Sequence, residues 1–222
     1  MTVVELGSAA RAAAPTKTES LAWSFSTAAT EPLAPIRVPG FALPTGAEVH
    51  RYANAFSASD CDAIMALANS AALQSGGVHN GFQRHRNSRV AWLAPDDAAG
   101  WIYKHIERVF ANANEVFGFA LDGVAEMLQF AQYDVGGHFD WHIDCMRVGS
   151  RVRKMSLTIQ LSDPADYDGG ALEFQVENGE PILARPRGTA IVFPAFNMHR
   201  VTPVARGRRC ALVAWAVGPM FR

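Results

Sequence analysis

Lys154-Met155-Ser156-Leu157-Thr158-Ile159-Gln160-Leu161 alternates polar and apolar side chains without a break. Successive side chains of a strand point to opposite faces. This segment therefore reads as a strand with Met155, Leu157, Ile159 and Leu161 on one face and Lys154, Ser156, Thr158 and Gln160 on the other. A helix cannot gather such a pattern into one apolar stripe. The middle of the chain is committed to a sheet with one covered face.

The rest of the C-terminal half has the same character. Met127 to Tyr133 reads as a strand, and Asp168-Gly169-Gly170 as a turn. Leu172, Phe174 and Val176 alternate, and Asn178-Gly179 is a tight hairpin signal. Gly188 separates Ile182-Leu183 from Ala190-Ile191-Val192-Phe193, and strands follow from His199 to Val204 and from Arg209 to Val217. Many strands with frequent turns and no helix between them predict a sandwich, jelly roll or small barrel.

The helices come earlier. After a short strand at Val49 to Tyr52, Ser57 and Ser59 stand at the capping-box interval before Asp60 and Asp62. Ile64, Leu67, Ala68 and Ala71 continue the helix, which Gly76-Gly77 is expected to end. Arg89 to Leu93 is a strand. Pro95-Asp96-Asp97 is expected to open a second helix, its acidic first turn facing the positive end of the dipole. Ile102, Ile106, Val109, Phe110, Ala113 and Phe117 form its stripe, and Gly118 ends it. His105 shares its face with no ligand-spaced acid or histidine and reads as a surface or packing residue. The whole is α+β, mainly β, with two N-terminal helices covering one sheet.

Residues 1–46 are expected to be a flexible or draped extension to a domain at 47–222. Pro32, Pro35, Pro39 and Pro44 forbid a continuous helix there, although Leu21, Trp23 and Phe25 alternate as an edge strand would. The loop carrying His79, Arg84, His85 and Arg86 reads first as a solvated basic loop and second as a substrate-contacting lid. With 222 residues, 49% of them hydrophobic, the chain can bury a sizeable core. Its formal charge of -1 suggests neither a nucleic-acid nor an anionic-membrane partner. No apolar run would span a bilayer, and the first residues lack the order of a signal peptide. Cys61, Cys145 and Cys210 are too widely spaced for a disulfide framework or a zinc ribbon. A soluble, cytoplasmic protein is expected.

The chemistry concentrates in Tyr133-Asp134-Val135-Gly136-Gly137-His138-Phe139-Asp140-Trp141-His142-Ile143-Asp144. His142 and Asp144 stand two apart, so on an extended strand their ligand atoms converge. His138 and Asp140 do the same. Gly136-Gly137 suggests a bend before His138, leaving the later pair deeper in the regular strand. A polar loop without metal is the third reading. A His-x-Asp pair with one distant histidine makes a facial triad that suits non-haem Fe(II) and leaves coordination positions open. His199, at the head of an apolar strand, can supply the third ligand. Arg209 lies ten residues on, in a strand apolar on both faces. A buried guanidinium needs an anion, from a protein carboxylate or from a ligand's.

Taken together, Tyr133-x-x-Gly136, His142-x-Asp144, Asp168-Gly169-Gly170-Ala171-Leu172-x-Phe174, Phe193-Pro194, His199-x-Val201-x-Pro203-Val204-x-x-Gly207-x-Arg209 and Trp215 resemble the catalytic domain of prolyl-4-hydroxylase-type Fe(II)/2-oxoglutarate dioxygenases. The resemblance covers roughly residues 50–222. It implies a double-stranded β-helix, with His142, Asp144 and His199 as iron ligands. Arg209 falls where the family holds the distal carboxylate of 2-oxoglutarate, with Tyr133 nearby and Trp215 lining the pocket toward substrate. Phe139 departs from a position where tyrosine is common. The implied reaction uses dioxygen, with ascorbate as an accompanying reductant, releases succinate and carbon dioxide, and hydroxylates a C–H bond of a prolyl or similar small-molecule or peptide substrate. Asp144 favours hydroxylation, since related halogenases lack that carboxylate. Two rivals are a zinc hydrolase, which leaves Arg209 without purpose, and a non-catalytic jelly-roll binding module.

Overall fold

The computed structural model of the chain describes residues 49–76, 85–175 and 186–221. In chain order these form β1 (His50–Tyr52), α1 (Ala58–Ser70), β2 (Gln74–Ser75), β3 (Arg86–Asn87), β4 (Arg89–Leu93), α2 (Gly100–Phe117), β5 (Gly123–Val124), β6 (Leu128–Tyr133), β7 (His138–His142), β8 (Arg147–Val148) and β9 (Arg151–Gln160). There follow β10 (Tyr167–Gly169), β11 (Leu172–Phe174), β12 (Ala190–Pro194), β13 (His199–Val201), β14 (Val204–Gly207) and β15 (Arg209–Gly218). The larger sheet runs β1-β12-β9-β15-β6-β4-β2, with β5 on β15 and β8 on β9. The smaller runs β11-β13-β7-β3, and β10 pairs with β14. Every pairing is antiparallel. The architecture is a double-stranded β-helix.

Parity on the larger sheet divides the interior in two. Leu128, Phe130, Met155, Leu157, Ile159, Leu212 and Ala214 pack with Ile64, Ile102, Ile106 and Phe110 of the helices. Residues of the opposite parity face the smaller sheet, where Ala131, Tyr133, Ile191 and Phe193 meet Leu172, Val201 and Val204. The helices thus cover one face, as expected, and the other face is left to line a cavity.

α1 begins with a complete capping box: Ser57 Oγ accepts from the Asp60 N–H (3.1 Å), and Asp60 Oδ2 accepts from the Ser57 N–H (2.8 Å). It stops at Ser70, well short of Gly76-Gly77. Asn69 and Ser70 are weak helix formers, and the Ser70 hydroxyl donates to the Leu67 carbonyl. Ala71 then turns extended, and Gln74–Ser75 pairs with β4. α2 starts at Gly100, beyond the acidic pair expected to open it. Asp96 instead accepts from the N–H groups of Ala98 and Ala99, closing a turn ahead of the helix. The left-handed Gly118 (φ 66°) caps its end. His105 packs against the Phe56 ring, with centroids 4.3 Å apart. The strand expected around Leu21, the Asn178-Gly179 hairpin, Ile182-Leu183 and most of the 79–87 loop lie outside the described residues.

Candidate active site

β7 and β13 place His142 directly opposite His199, and their ring centroids are 4.1 Å apart. The His142 Nδ1–H donates to the Asp140 carbonyl (2.7 Å) and that of His199 to the Asn197 carbonyl (2.9 Å). Both bonds select the tautomer whose Nε2 carries a free lone pair. Those Nε2 atoms lie 3.8 Å and 3.6 Å from the two Asp144 carboxylate oxygens. One ligand atom from each of the three residues falls within 4.8 Å of the others. His138 lies outside this cluster. Its Nδ1 meets the Gly136 carbonyl, and Asp140 pairs with His85 at 3.4 Å.

One expectation is corrected. The His142–Asp144 pair is not the deeper part of a regular strand, because β7 ends at His142. The N–H groups of Asp144 and Cys145 both donate to the Ala195 carbonyl, at 2.9 and 2.8 Å. The turn after β12 therefore fixes Asp144, and the two side chains converge without a continuous ladder.

Electrostatics suit a cation. Burial, with His199 beside it, pushes His142 down to about 4, so its ring is neutral at pH 7. Burial would raise Asp144, but the two imidazoles, the Ser156 hydroxyl and the Trp215 indole outweigh it and keep the carboxyl ionised. Ser156 Oγ donates to Asp144 Oδ2 at 2.7 Å. Ser156 and Trp215 are cross-strand partners on β9 and β15. Trp215 Nε1 is buried and has no hydrogen-bond acceptor within bonding geometry, although it lies close enough to influence the Asp144 charge. Two histidines that each turn an Nε2 toward one carboxylate, on one side of a cavity, are the donor set that fits Fe(II).

The cavity holds about 540 Å³, and Tyr133, His142, Asp144, His199, Arg209 and Trp215 all line it. Arg209 and Tyr133 are cross-strand partners, with the guanidinium 5.5 Å from the ring centroid. Arg209 is 4% exposed, its Nε has no acceptor, and among the described residues no carboxylate pairs with it. Of the two anions considered for it, the protein carboxylate is therefore not found among the described residues.

Sequence reasoning gave no site role to Ser156 or Arg153 and noted Phe139 only as a departure from tyrosine. Ser156 looked like any polar residue of an alternating strand. Arg86, in the loop read first as solvated and second as a substrate-contacting lid, is 8% exposed and lines the cavity. Phe139 stacks on His142 with centroids 3.5 Å apart, which gives its missing hydroxyl a counterpart in ring packing. Arg153 lies 3.7 Å over the Trp215 ring and forms a bidentate pair with Glu126.

Comparison with known proteins identifies the family. The 2OG-Fe(II) oxygenase superfamily profile matches residues 128–217. A PKHD-type hydroxylase of Stutzerimonas stutzeri is 32% identical over 173 residues, 74% of this chain and 76% of that relative. A PKHD-type hydroxylase of Caulobacter is 36% identical over 147 residues, 63% of this chain and 65% of the relative. Among solved structures, a Pseudomonas putida prolyl-4-hydroxylase superposes with a TM-score of 0.64 at 20% identity, covering 78% of this chain and 93% of that one. A viral collagen prolyl hydroxylase from Paramecium Bursaria Chlorella virus-1, solved as its 2OG complex, gives 0.61 at 18% over 80% and 99%. These likenesses extend through both sheets, and the zinc-hydrolase and binding-module readings give way. The chain belongs to the 2OG-Fe(II) oxygenase superfamily and is a 2-oxoglutarate-dependent dioxygenase of the hydroxylase type.

Proposed function

We propose that His142 and His199, through Nε2, and Asp144, through its carboxylate, hold one Fe(II). Arg209 receives the distal carboxylate of 2-oxoglutarate, with Tyr133 flanking it. The remaining space, walled by Trp215, takes a prolyl or similar amino-acid or peptide substrate. Fe(II), 2-oxoglutarate and dioxygen together supply oxidative decarboxylation to succinate and carbon dioxide, coupled to hydroxylation of an unactivated C–H bond. The chain's own residues do the rest. The carbonyls of Asp140 and Asn197 aim the imidazoles, Ser156 holds the carboxylate, and the apolar walls keep water out. Ascorbate would serve as an accessory reductant. The prolyl assignment is supported by likeness to proteins described as prolyl hydroxylases.

The observation that carries this reading is the buried Arg209 guanidinium, which no carboxylate among the described residues pairs with and which opens on the same cavity as the three ligand residues. Removing one partner of a buried charge pair costs about 3–5 kcal/mol. Arg209→Ala is expected to raise the KM for 2-oxoglutarate at least about a hundredfold while Mn(II) still binds. His142→Ala is expected to abolish metal binding and His138→Ala to retain it. The reverse pattern in the two histidine variants, or an unchanged KM in Arg209→Ala, refutes the assignment.

A further inference from the structure

Arg86 is a second buried guanidinium on the same cavity, and its partners are neutral. Its Nε donates to Ser88 Oγ and its Nη2 to Gln129 Oε1, both at 2.8 Å. Its guanidinium carbon lies 4.6 Å from the Phe139 ring centroid, and Phe139 in turn stacks on His142. The anchor is built in. A Cβ at Gly76 would collide with Ser88 Oγ and crowd Arg86 Nε, so a glycine there leaves room for the pair. Gln129 reaches it from β6 on the cavity-facing side of the larger sheet.

Charge accounting then points outward. On the function proposed above, on which this inference rests, the two charges of Fe(II) and that of Arg209 are cancelled by Asp144 and the two carboxylates of 2-oxoglutarate. Among the described residues, the other basic side chains at this end of the cavity have partners: Arg153 pairs with Glu126, and His85 meets Asp140. Arg200, near the rim over Trp141, pairs with Glu173. Among the described residues no carboxylate pairs with Arg86. A buried, unneutralised cation is costly, and a planar fork with donors to spare suits a carboxylate.

We infer that the substrate carries a free carboxylate, which docks on Arg86 at the substrate end of the cavity and orients the carbon to be hydroxylated. Arg86 is thus a specificity-determining residue. It selects an acid over the corresponding neutral amide, whether the acid is the main-chain carboxylate of an amino acid or an acidic side chain in a peptide.

The test is calorimetry on the full chain loaded with Mn(II) and 2-oxoglutarate under anaerobic conditions. N-acetyl-L-proline is compared with N-acetyl-L-prolinamide, which tests the main-chain carboxylate. Acetyl-Pro-Asp-amide is compared with acetyl-Pro-Asn-amide, which tests the side-chain one. In at least one pair the acid is expected to bind tenfold or more tightly than its neutral partner. The gap should close in Arg86→Gln and largely persist in Arg86→Lys, which keeps the charge. Equal binding within both pairs, absence of binding in all four, or a gap that survives Arg86→Gln overturns the inference. If Arg86→Gln no longer takes up metal, Arg86→Lys decides, and its losing the gap overturns the inference. Failure of the unaltered chain to bind Mn(II) and 2-oxoglutarate at all would instead overturn the proposed function beneath it.

Discussion

Ser156 shows how much of the site depends on a residue that carries no chemistry of its own. Its hydroxyl is fully buried and donates to the oxygen of Asp144 that His199 also faces. A carboxylate so held keeps its orientation before a cation arrives. Ser156→Ala is expected to weaken Mn(II) binding by about 10–100-fold, measured by calorimetry, while leaving the melting temperature of the metal-free protein within a few degrees. Ser156→Thr, which restores a hydroxyl, should recover most of the loss. An unchanged affinity in the alanine variant removes Ser156 from the site. The neighbouring Trp215 is argued differently. It fills the wall beside Asp144 and stacks under Arg153. Trp215→Ala is expected to keep converting 2-oxoglutarate to succinate slowly but to uncouple that turnover from hydroxylation, since a misplaced carbon loses its proximity advantage. A variant that is less stable yet fully coupled assigns the indole to packing alone. The candidate triad and Arg209 stood out in the sequence because histidine, carboxylate and guanidinium are conspicuous in apolar strands. Ser156 and Arg86 did not, because their importance lies in cross-strand register and in burial, and neither leaves a local pattern.

At the scale of elements, parity did most of the predicting. Arg209, Ala211, Val213 and Trp215 line the cavity, while Cys210, Leu212, Ala214 and Ala216 pack beneath the helices, as a period of two requires. Element ends were less legible. α1, α2 and β7 all begin or stop where a side chain captures a backbone group, or where a distant carbonyl such as that of Ala195 takes over. Asp134 is a further case in which strands are joined through one side chain. Just past β6, it accepts from Arg89 of β4 at 2.8 Å and from Arg208 beside β15 at 2.7 Å, with Gln132 also donating. Partial burial would raise its carboxyl, but these donors outweigh that and hold it below the ordinary range. A depressed carboxyl contributes stability above the unfolded pKa of about 3.9 and loses it as pH falls through the lower folded value. Asp134→Asn should therefore melt below the unaltered protein by a constant margin from pH 5 to 8, and the margin should shrink below about pH 4. The pairs are half-exposed, so about 1 kcal/mol or less is at stake. A margin unchanged at low pH excludes the ionised carboxylate as its source.

At the scale of the whole molecule, the cavity depends on both sheets keeping their outer strands. β1 forms one edge of the larger sheet, pairing His50 to Tyr52 with Val192 to Ala190. Just beyond it, the Phe56 N–H donates to the Gly188 carbonyl at 3.0 Å. Gly188 has φ 78°, and an added Cβ there would fall on the Phe56 carbonyl oxygen. The entry to α1 is thereby clipped to the turn that leads into β12, which ends at Pro194 and is followed by Ala195, whose carbonyl holds Asp144. This chain of contacts begins at residue 50, and among the described residues every one that lines the cavity lies beyond it. We therefore expect residues 47–222 to fold and function without the segment before them. A chain shortened to begin at residue 47 should keep its melting temperature within about 2 °C, a shift worth about 0.5–1 kcal/mol for a domain of this size, and should bind Mn(II) and 2-oxoglutarate with unaltered affinity. A chain beginning at residue 57 loses both β1 and the Phe56 clip. It should melt several degrees lower and bind metal more weakly, as the β12 turn relaxes around Asp144. Equal behaviour of the two shortened chains refutes the clip. Loss of metal or 2-oxoglutarate binding in the longer one shows that residues 1–46 belong to the catalytic domain.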